Sequence, residues 1–473
     1  MQQIDHIVVL MLENRSFDHM LGFTRRAGYD VNGLDGSQSN PLDPAIPAGE
    51  RVHVSPDAGF ILAQDPGHQV SDVNVQLFGR ASGPPPVGEM NEGFIYSYGQ
   101  QKNVTPKLAK TIMRCFNPSA LPVLTTLAGE FAVCDRWFSS VPGPTQPNRM
   151  FALAATSGGY IDNSVFNDYD MPTIFENVSA KGLTWRNYYD DFSLSWLLTR
   201  LTTDEMKVNF RSFGTFLSDA KKGTLPNFAF IEPKYTSIFG AANDQHPPHD
   251  VRNGEKLIAA TYSAIKNSPA WERTLLLIVW DEHGGTYDHE APTKATPPDS
   301  QTGKFAFNRY GVRVPAVLIS PFIGRETIVK TEFDHTSIPA TVKEVFGLGS
   351  FLTSRDAKAN VFSGVPQLAH PRADVPDFPK AFIAELSPAL ADEDSISEEE
   401  LISRKAAGRV SSEPLTDLQQ SLVELAHKLD LDETPELKRL RIARRIENEY
   451  DAAVYLREVA RRFMSTRSGS TAS

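Results

Sequence analysis

Runs of consecutive apolar residues alternate along this chain with stretches of helical periodicity. The first run, IDHIVVLML at residues 4–12, is rich in β-branched side chains and is bounded by polar residues. A run of this kind is typical of a strand that is buried on both faces of a parallel sheet. Similar runs lie at 131–138, 227–233, 274–282 and 314–322. We therefore predict a buried strand at each run.

Apolar residues with helical spacing lie between these runs, at 123–131, 148–156 and 254–268. Strands that alternate with helices predict an α/β fold, in which a mostly parallel central sheet is covered by helices on both faces. In sheets of this kind, ligands bind beyond the carboxyl ends of the strands. The residues that follow each apolar run are therefore the first candidates for a functional site.

Other parts of the chain follow neither pattern. Residues 30–110 are rich in Gly, Pro, Asn and Asp, which predicts a long, mostly irregular insertion. A Pro-rich segment near residue 370 predicts a boundary between a main domain, 1–370, and an extension, 371–473. That extension contains an acidic run and two predicted amphipathic helices, at about 415–430 and 434–464.

The composition is that of an ordinary globular protein, with 473 residues of which 41% are hydrophobic and 22% are charged. The net charge of −11 argues against a nucleic-acid partner and against purely electrostatic adhesion to anionic membranes. The two cysteines, Cys115 and Cys134, exclude a disulfide framework, and we expect them to be free thiols.

The first residues lack the basic segment of a signal peptide, and no stretch reaches the roughly 18 apolar residues that a membrane span needs. We therefore expect a protein without a transmembrane segment that is made in the cytoplasm. If it acts outside the cell, it would need a signal-independent export route or a leader that this sequence lacks.

Each predicted strand is followed by side chains that carry a carboxylate, an imidazole, an amide or a hydroxyl. Because the carboxyl ends of parallel strands meet at one edge of a sheet, we expect these side chains to lie close together. The segments are ENRSFDH (13–19), PGPTQPNR (142–149), NDQHPPHD (243–250), DEHGG (281–285) and DHTS (334–337).

Two of these segments begin with acidic residues that directly follow an apolar run. Asp281 and Glu282 would repel each other unless a cation or a proton separates them, and a divalent metal would do so. The alternative is that one caps a helix and the other faces solvent. Asn14 taken alone is better explained as a helix N-cap. Glu13, beside an apolar run, needs a partner.

Thr145 lies two residues before Pro147, which suits the first position of a helix. Thr145 could therefore be a simple capping residue. The same geometry would also place its hydroxyl where a helix N-terminus binds phosphate, and a metal could activate that hydroxyl as a nucleophile. Arg149, one helical turn further on, could hold a phosphate oxygen or could form a structural ion pair.

The remaining candidates are imidazoles. His246, His249 and His335 lie in separate strand-end segments with carboxylates nearby, which favours a metal or phosphate site over three unrelated packing roles. His335 could instead only pack against a helix that Asp334 or Thr336 caps. His68, in the irregular segment QDPGHQVSD, is a weaker candidate.

The segments ENRSFDHMLG, PGPTQPNR, HPP, DEHGGTYDH and DHTS together resemble the phosphoesterase family that contains bacterial and fungal phospholipases C and an acid phosphatase. The match covers roughly residues 4–350 in the expected order. This resemblance implies an alkaline-phosphatase-like core, with residues 1–370 as the phosphoesterase catalytic domain. Residues 371–473 carry no motif that can be assigned.

The resemblance also implies roles for individual residues. Glu13, Asn14, Asp281 and Glu282 would bind a metal, and Thr145 would be both metal ligand and nucleophile. The remaining assignments involve three groups of residues. Three imidazoles would bind the phosphoryl group, protonate the leaving alcohol or hold a second metal: His246, His249 and His335. A further candidate metal ligand is Asp244. The candidates for substrate binding are His68, Arg149 and His283.

Mixed nitrogen and oxygen ligation favours zinc over manganese or calcium. The leading hypothesis is a phospholipase C that cleaves the glycerol side of a phospholipid, with phosphatidylcholine as the expected substrate and transient contact with the membrane surface. A phosphomonoesterase of the same superfamily is the alternative. A non-catalytic lipid-binding or effector module is disfavoured because the acidic residues and Thr145 are all present. The tail helices, with the basic segment RLRIARR, could serve membrane contact, export or self-association, but a packed helical pair is preferred.

Overall fold

The structure is a computed structural model that describes residues 4–46, 48–80, 91–237, 241–301, 303–379, 415–430, 446 and 448–465. The strands are β1 (His6–Leu12), β2 (Ser39–Pro41), β3 (Arg51–His53), β4 (Ala132–Cys134), β5 (Trp137–Phe138), β6 (Trp185–Tyr189), β7 (Phe210–Ser212), β8 (Phe228–Ile231), β9 (Thr274–Trp280), β10 (Ala316–Ile319), β11 (Thr327–Val329) and β12 (Phe333–Asp334). The helices are α1 (Phe17–Leu21), α2 (Val70–Phe78), α3 (Phe94–Gly99), α4 (Pro106–Ala109), α5 (Pro122–Glu130), α6 (Thr145–Ala154), α7 (Ile174–Ala180), α8 (Asp204–Lys207), α9 (Phe213–Lys222), α10 (Val251–Lys266), α11 (Ser337–Phe346), α12 (Asp417–Asp430) and α13 (Glu449–Ser465).

An eight-stranded sheet forms the centre of the protein, in the order β11-β4-β10-β9-β1-β8-β6-β7. Strand β1 pairs in parallel with β8 on one side and with β9 on the other. Every residue of β1 from Ile7 onward is buried, and so is all of β9. Helix α10 packs against both α5 and α9, while α6, α7 and α11 pack against one another. The predicted α/β fold, with a mostly parallel sheet covered on both faces, is confirmed.

Strand β10 is antiparallel to its neighbours in the sheet, so the segment that begins at Asp334 reaches the site by a different route from the predicted one. Strand β10 pairs antiparallel with both β4 and β9, so its carboxyl end lies at the opposite edge of the sheet. The chain then returns through β11, which is parallel to β4. The segment that begins at Asp334 therefore reaches the predicted edge after β11 and β12, and not directly after β10.

The second predicted strand, 131–138, is two short strands, β4 and β5. Asp135 interrupts the run, and its buried carboxylate accepts a hydrogen bond from the backbone N–H of Asn32 at 2.9 Å. Because this hydrogen bond gives the buried carboxylate a partner, Asp135 is tolerated between two short apolar strands.

The insertion at 30–110 contains more regular structure than predicted. A hairpin of β2 and β3 and helices α2, α3 and α4 lie within its described part. Apolar residues of these elements, among them Val73, Leu77 and Phe94, form a core cluster of their own.

Helices α12 and α13 of the extension pack against each other and against the main core. Leu422 and Leu456 are buried in the same apolar cluster as the central strands. This agrees with the preferred interpretation of a packed helical pair. The basic segment RLRIARR and the acidic run lie outside the described residues. Among the described helices, none has the length and apolarity required to cross a membrane.

Candidate active site

Glu13 and Asn14 form the centre of the site at the carboxyl end of β1. Asn14 adopts a left-handed conformation, with φ of 55°, and its backbone N–H donates to Asp281 Oδ1 at 3.0 Å. Gly284 approaches so closely that a Cβ atom there would lie 2.2 Å from the carbonyl oxygen of Asn14. The N-cap of helix α1 is Ser16, whose hydroxyl accepts from the N–H of His19. The helix-cap explanation of Asn14 is therefore excluded.

Thr145 is the first residue of α6 and faces this pair. Its Oγ1 lies 3.1 Å from Glu13 Oε2 and 3.4 Å from Asn14 Oδ1. The N-cap position is occupied by Pro144, so the Thr145 side chain does not cap the helix. The next backbone N–H, of Gln146, donates to Asn163 Oδ1 at 2.9 Å. The Thr145 hydroxyl therefore contacts the Glu13 carboxylate and the Asn14 amide, the two groups that were predicted to form one site with it.

Arg149 lies one turn further along α6 and pairs with Glu13. Its Nε donates to Glu13 Oε1 at 2.8 Å and lies 3.9 Å from Asp281 Oδ2, with all three side chains buried. Of the two roles expected for Arg149, the structure therefore shows the ion pair, with Glu13 as the partner. Its Nη1 is buried without a hydrogen-bond partner, so this nitrogen stays available to a ligand.

Burial raises the pKa of the Glu13 carboxyl well above its ordinary value, and the nearby Asp281 carboxylate acts in the same direction. The Arg149 guanidinium opposes both effects. Two carboxylates thus share one cation, Arg149, in a place that water does not reach. A second cation would relieve the remaining electrostatic cost.

Unpartnered oxygen atoms show where such a cation would fit. Asp281 Oδ2, Glu282 Oε1 and Asp244 Oδ2 are buried and have no hydrogen-bond partner. A buried polar atom without a partner costs about 1–3 kcal/mol, and more when the group is charged. Carboxylate and amide oxygens are ordinary ligands of divalent metals. These oxygen atoms are therefore candidate metal ligands, although they belong to neither of the two groups of described acidic and histidine side chains that lie close enough together to hold one ion.

His335 links Trp137 to Asp281, the residue that directly follows strand β9. His335 Nδ1 accepts from Trp137 Nε1–H at 3.2 Å, and its Nε2–H donates to the backbone carbonyl of Asp281. Burial lowers the pKa of His335, which agrees with a neutral ring. Both ring nitrogens are engaged by the protein, so this histidine positions Asp281 and has no ring nitrogen left for a substrate.

Replacement of Trp137 by Phe should destabilise the protein more than an equivalent replacement elsewhere. The change leaves the buried His335 Nδ1 without a donor, which costs about 1–3 kcal/mol beyond the loss of ring volume. Trp196→Phe is the matched control, because Trp196 is also buried but its Nε1 has no partner. Chemical denaturation of both variants measures the difference, and equal losses would contradict this role of Trp137.

His249 pairs with Asp244 beyond the end of β8. Its Nδ1 lies 2.6 Å from Asp244 Oδ1, and its Nε2 lies 3.4 Å from Gln419 Nε2 of helix α12. The backbone carbonyl of Asp244 also accepts from the N–H of Glu13 at 2.9 Å. This loop is thus attached directly to the β1 end.

His68 and His246 form a second group with Asp65 and Asp417. His68 Nε2 donates to Asp417 Oδ2 at 2.9 Å, and His246 Nε2 lies 3.3 Å from Asp417 Oδ1. Burial alone would lower the pKa of His246, but the carboxylates of Asp65 and Asp417 outweigh it and raise the pKa to about 10. Burial also acts to lower the pKa of His68, but nearby carboxylates, chiefly that of Asp417, outweigh it and raise the pKa well above its ordinary value.

His283 contacts helix α2 and the neighbouring Glu282. Its Nε2 contacts Gln76 Oε1 at 2.8 Å, and its Nδ1 lies 3.3 Å from Glu282 Oε2. Glu282 Oε2 also accepts from the N–H of Gly284 at 2.7 Å. Helix α2 of the insertion therefore helps to hold the turn after β9.

Two clusters of acidic and histidine side chains among the described residues could hold a metal ion. One is Asp65, His68, His246 and Asp417. The other is Asp18, Asp288 and His289, which already contains a cation. There Arg313 lies 2.9 Å from Asp288 and 3.1 Å from Asp18, and all three side chains are fully buried. This second cluster is an internal ion-pair network that joins helix α1 to the loop after β9.

Sequence reasoning missed three side chains of the site: Asp65, Gln76 and Asp417. Asp65 precedes His68 by three residues in a loop, and this spacing was the one available signal for it. Asp417 carried no signal, because its partner His68 is 349 residues away along the chain.

Comparison with known proteins identifies the family of this chain. The model of the Phosphoesterase family matches residues 4–349. Non-specific phospholipase C1 of Arabidopsis thaliana is 41% identical over 415 residues, which cover 83% of this chain and 76% of that protein. Non-specific phospholipase C3 of the same plant is 37% identical over 485 residues, covering 97% and 88%.

A more distant relative is phospholipase C B of Mycobacterium tuberculosis, which is 27% identical over 447 residues, covering 80% of this chain and 82% of that protein. Among solved structures, a protein of the alkaline phosphatase superfamily from Vibrio parahaemolyticus matches 62% of this chain and 83% of its own, at 11% identity and a TM-score of 0.32. The family match spans all the motifs of the site, from Glu13 to His335. This chain belongs to the Phosphoesterase family and is a hydrolase that acts on phosphoric ester bonds.

Proposed function

We propose that this protein is a metal-dependent phospholipase C with Thr145 as its nucleophile. The observation that carries the proposal is the position of Thr145 Oγ1, within 3.4 Å of both Glu13 and Asn14. A hydroxyl in contact with a buried carboxylate and an amide is an unusual arrangement for a purely structural threonine.

Glu13, Asn14, Asp281 and Glu282 would hold the metal together with Thr145, and Asp244 is a further candidate ligand. Zinc is the first ion to test; the ligands named here all offer oxygen atoms, a donor set that manganese and calcium also accept. When bound, such an ion would lower the pKa of the threonine hydroxyl and offset the negative charge of the phosphodiester.

The chain's own groups would carry the rest of the reaction. Thr145 Oγ1 passes its proton to Glu13 Oε2, to which it already donates a hydrogen bond, and attacks the phosphorus; this forms a diester between Thr145 and the phosphorylated headgroup as the diacylglycerol oxygen leaves. A neighbouring imidazole, for which His246 and His249 are the candidates, supplies the proton that this oxygen requires. Water then attacks the phosphorus, releases the phosphorylated headgroup and restores the hydroxyl. Arg149 Nη1 is placed to hold a phosphoryl oxygen, while His335 positions Asp281.

The lipid substrate is proposed from the relatives. Three proteins named as phospholipases C share 27–41% of their residues with this chain over most of their length. We therefore propose a phospholipid substrate that is cleaved on the glycerol side, with phosphatidylcholine as the first to test and with transient contact at the membrane surface.

Purified protein with added zinc should release phosphocholine and diacylglycerol from phosphatidylcholine vesicles. Chromatography of the lipid and aqueous products measures both. An aryl phosphate monoester and the matching diester, assayed in parallel, test the alternative. Faster turnover of the monoester with no diacylglycerol release would make the protein a phosphomonoesterase. No turnover of any of the three by folded protein would exclude both activities.

A further inference from the structure

The proposed active site is enclosed, and helix α12 of the extension packs against the histidines beside it. Thr145, Glu13 and Asp281 each have 0% of their surface exposed to solvent. The first residue of α12, Asp417, contacts His68 and His246, and Gln419 contacts His249. In this closed arrangement the phosphorus of a lipid cannot reach Thr145 Oγ1. Some part of the structure must therefore move before a substrate binds.

The carboxylate of Asp417 lies beside the ring atoms that a phosphoryl group would need: it accepts a hydrogen bond from His68 Nε2, while His246 Nε2 is within ion-pair distance of it without a hydrogen bond. His68 Nδ1 faces the carbonyl oxygen of Pro66 at 3.0 Å, and His246 Nδ1 faces that of Pro247 at 2.6 Å. The Nε2 atom is thus the one nitrogen of each ring that is left for a ligand. Each Nε2 has one oxygen of Asp417 beside it, at 2.9 Å and 3.3 Å.

The distances favour a direct ion pair over a metal ion within this group. Tetrahedral zinc with bonds of roughly 2.0–2.1 Å would hold its ligand atoms about 3.3 Å apart. The separation of His68 Nε2 from Asp417 Oδ2 is shorter, at 2.9 Å, while that of His246 Nε2 from Asp65 Oδ2 is longer, at 3.9 Å. A carboxylate that places one oxygen on each imidazole matches the way two phosphoryl oxygens would bind there.

The rest of α12 is held independently of Asp417. Gln419 Nε2 donates to the carbonyl oxygen of Tyr235 at 3.0 Å, and Ser421 Oγ donates to that of Asn163 at 3.3 Å. Leu418 and Leu422 are buried in the main core. Asp417 Oδ1 also accepts from the N–H of Leu418 at 2.7 Å, so an asparagine could keep this contact. A change at Asp417 can therefore remove the charge and leave the helix in place.

We propose that Asp417 is a built-in competitor for the phosphoryl oxygens of the substrate, paired with His68 and His246 until helix α12 withdraws. This inference rests on the proposed function, since a phosphoryl group must enter the site, and it adds that His68 and His246 bind two of its oxygens. The extension then regulates access to the site, which opens when a substrate or its surroundings displace the helix. The competing group and the substrate share the same chemistry, an anion with two oxygens.

Calorimetric titration of the full chain with inorganic phosphate tests this inference. In Asp417→Asn and Asp417→Ala, the dissociation constant for phosphate should fall about tenfold or more, because the fraction of sites free of the internal anion rises. Glu424→Gln, an exposed carboxylate on the same helix, should bind as the unchanged protein does. His246→Gln should bind phosphate more weakly. Thermal unfolding of each variant verifies that it is folded.

Unchanged or weaker binding by both Asp417 variants, with measurable binding by the unchanged protein, would overturn this inference alone. Loss of one equivalent of bound metal in Asp417→Asn, measured by elemental analysis, would show a cation site instead and would also overturn it. If neither the unchanged protein nor any variant binds phosphate, the proposed function fails as well.

Discussion

Replacement of Thr145 by alanine should lower the turnover of phosphodiester substrate by about 10³-fold or more. The alanine variant has no oxygen to form the ester with phosphorus, and loss of a nucleophile in hydrolases typically costs a factor of roughly 10³–10⁶. Thr145→Ser keeps the hydroxyl and should retain far more activity than the alanine variant. Initial rates at saturating substrate measure both.

Thr261→Ala is the matched control for this prediction. Thr261 lies in α10, is fully buried, and has a hydroxyl without a hydrogen-bond partner. Its loss should leave turnover within about twofold, since surface and packing changes away from a site act mainly on stability. An alanine variant at position 145 that keeps more than a tenth of the activity would remove Thr145 from the proposed mechanism.

Arg149→Met should destabilise the metal-free protein by about 3–5 kcal/mol, because it leaves the buried carboxylate of Glu13 without its cation. The pair is fully enclosed, with 2% of the Arg149 side chain and none of the Glu13 side chain exposed. Urea denaturation in the presence of a chelator measures the change. The double variant Glu13→Gln/Arg149→Met should recover a large part of this loss, since it removes both charges.

An exposed pair provides the comparison. Arg461 pairs with Glu458 on α13 at 3.1 Å, with 71% of the arginine side chain exposed. Arg461→Met should cost no more than about 1 kcal/mol, as is usual for ion pairs in water. If Arg149→Met is no more destabilising than Arg461→Met, the electrostatic account of the site is wrong.

The strands that carry the proposed metal site could be predicted from the sequence because burial on both faces makes them continuous apolar runs. Strands β1 and β9 are of this kind, and the acidic residues directly after them lie together as expected. Strands β6 and β7 were missed, since their sequences, WRNYY and FRS, alternate polar with apolar residues or are too short to show a pattern. They lie at one end of the sheet, where burial is less complete.

Strand direction could not be predicted from the same pattern. The run at β10 is as apolar as that at β9, although the two strands are antiparallel. An apolar run indicates that a strand is buried but not the direction in which the strand runs. The segment containing His335 was therefore correctly expected at the site, but by a wrong route, directly after β10. What brought this segment to the site was the short strand β11, TIV, which has too few residues to show a pattern.

The contribution of the extension was beyond the reach of sequence reasoning. Asp417 opens a helix whose apolar side predicted packing, and the structure confirms that packing. The partner of its carboxylate depends on how the helix docks, which is a property of tertiary structure and not of the local pattern. The same holds for Gln419 and His249.

The metal requirement of the site is the claim on which the proposed mechanism depends. Protein freed of metal by a chelator, and verified by elemental analysis, should hydrolyse phosphatidylcholine at a small fraction of the original rate. Added zinc should restore activity in step with the metal bound, and Asp281→Asn should abolish that recovery. Full activity in metal-free protein would contradict the mechanism.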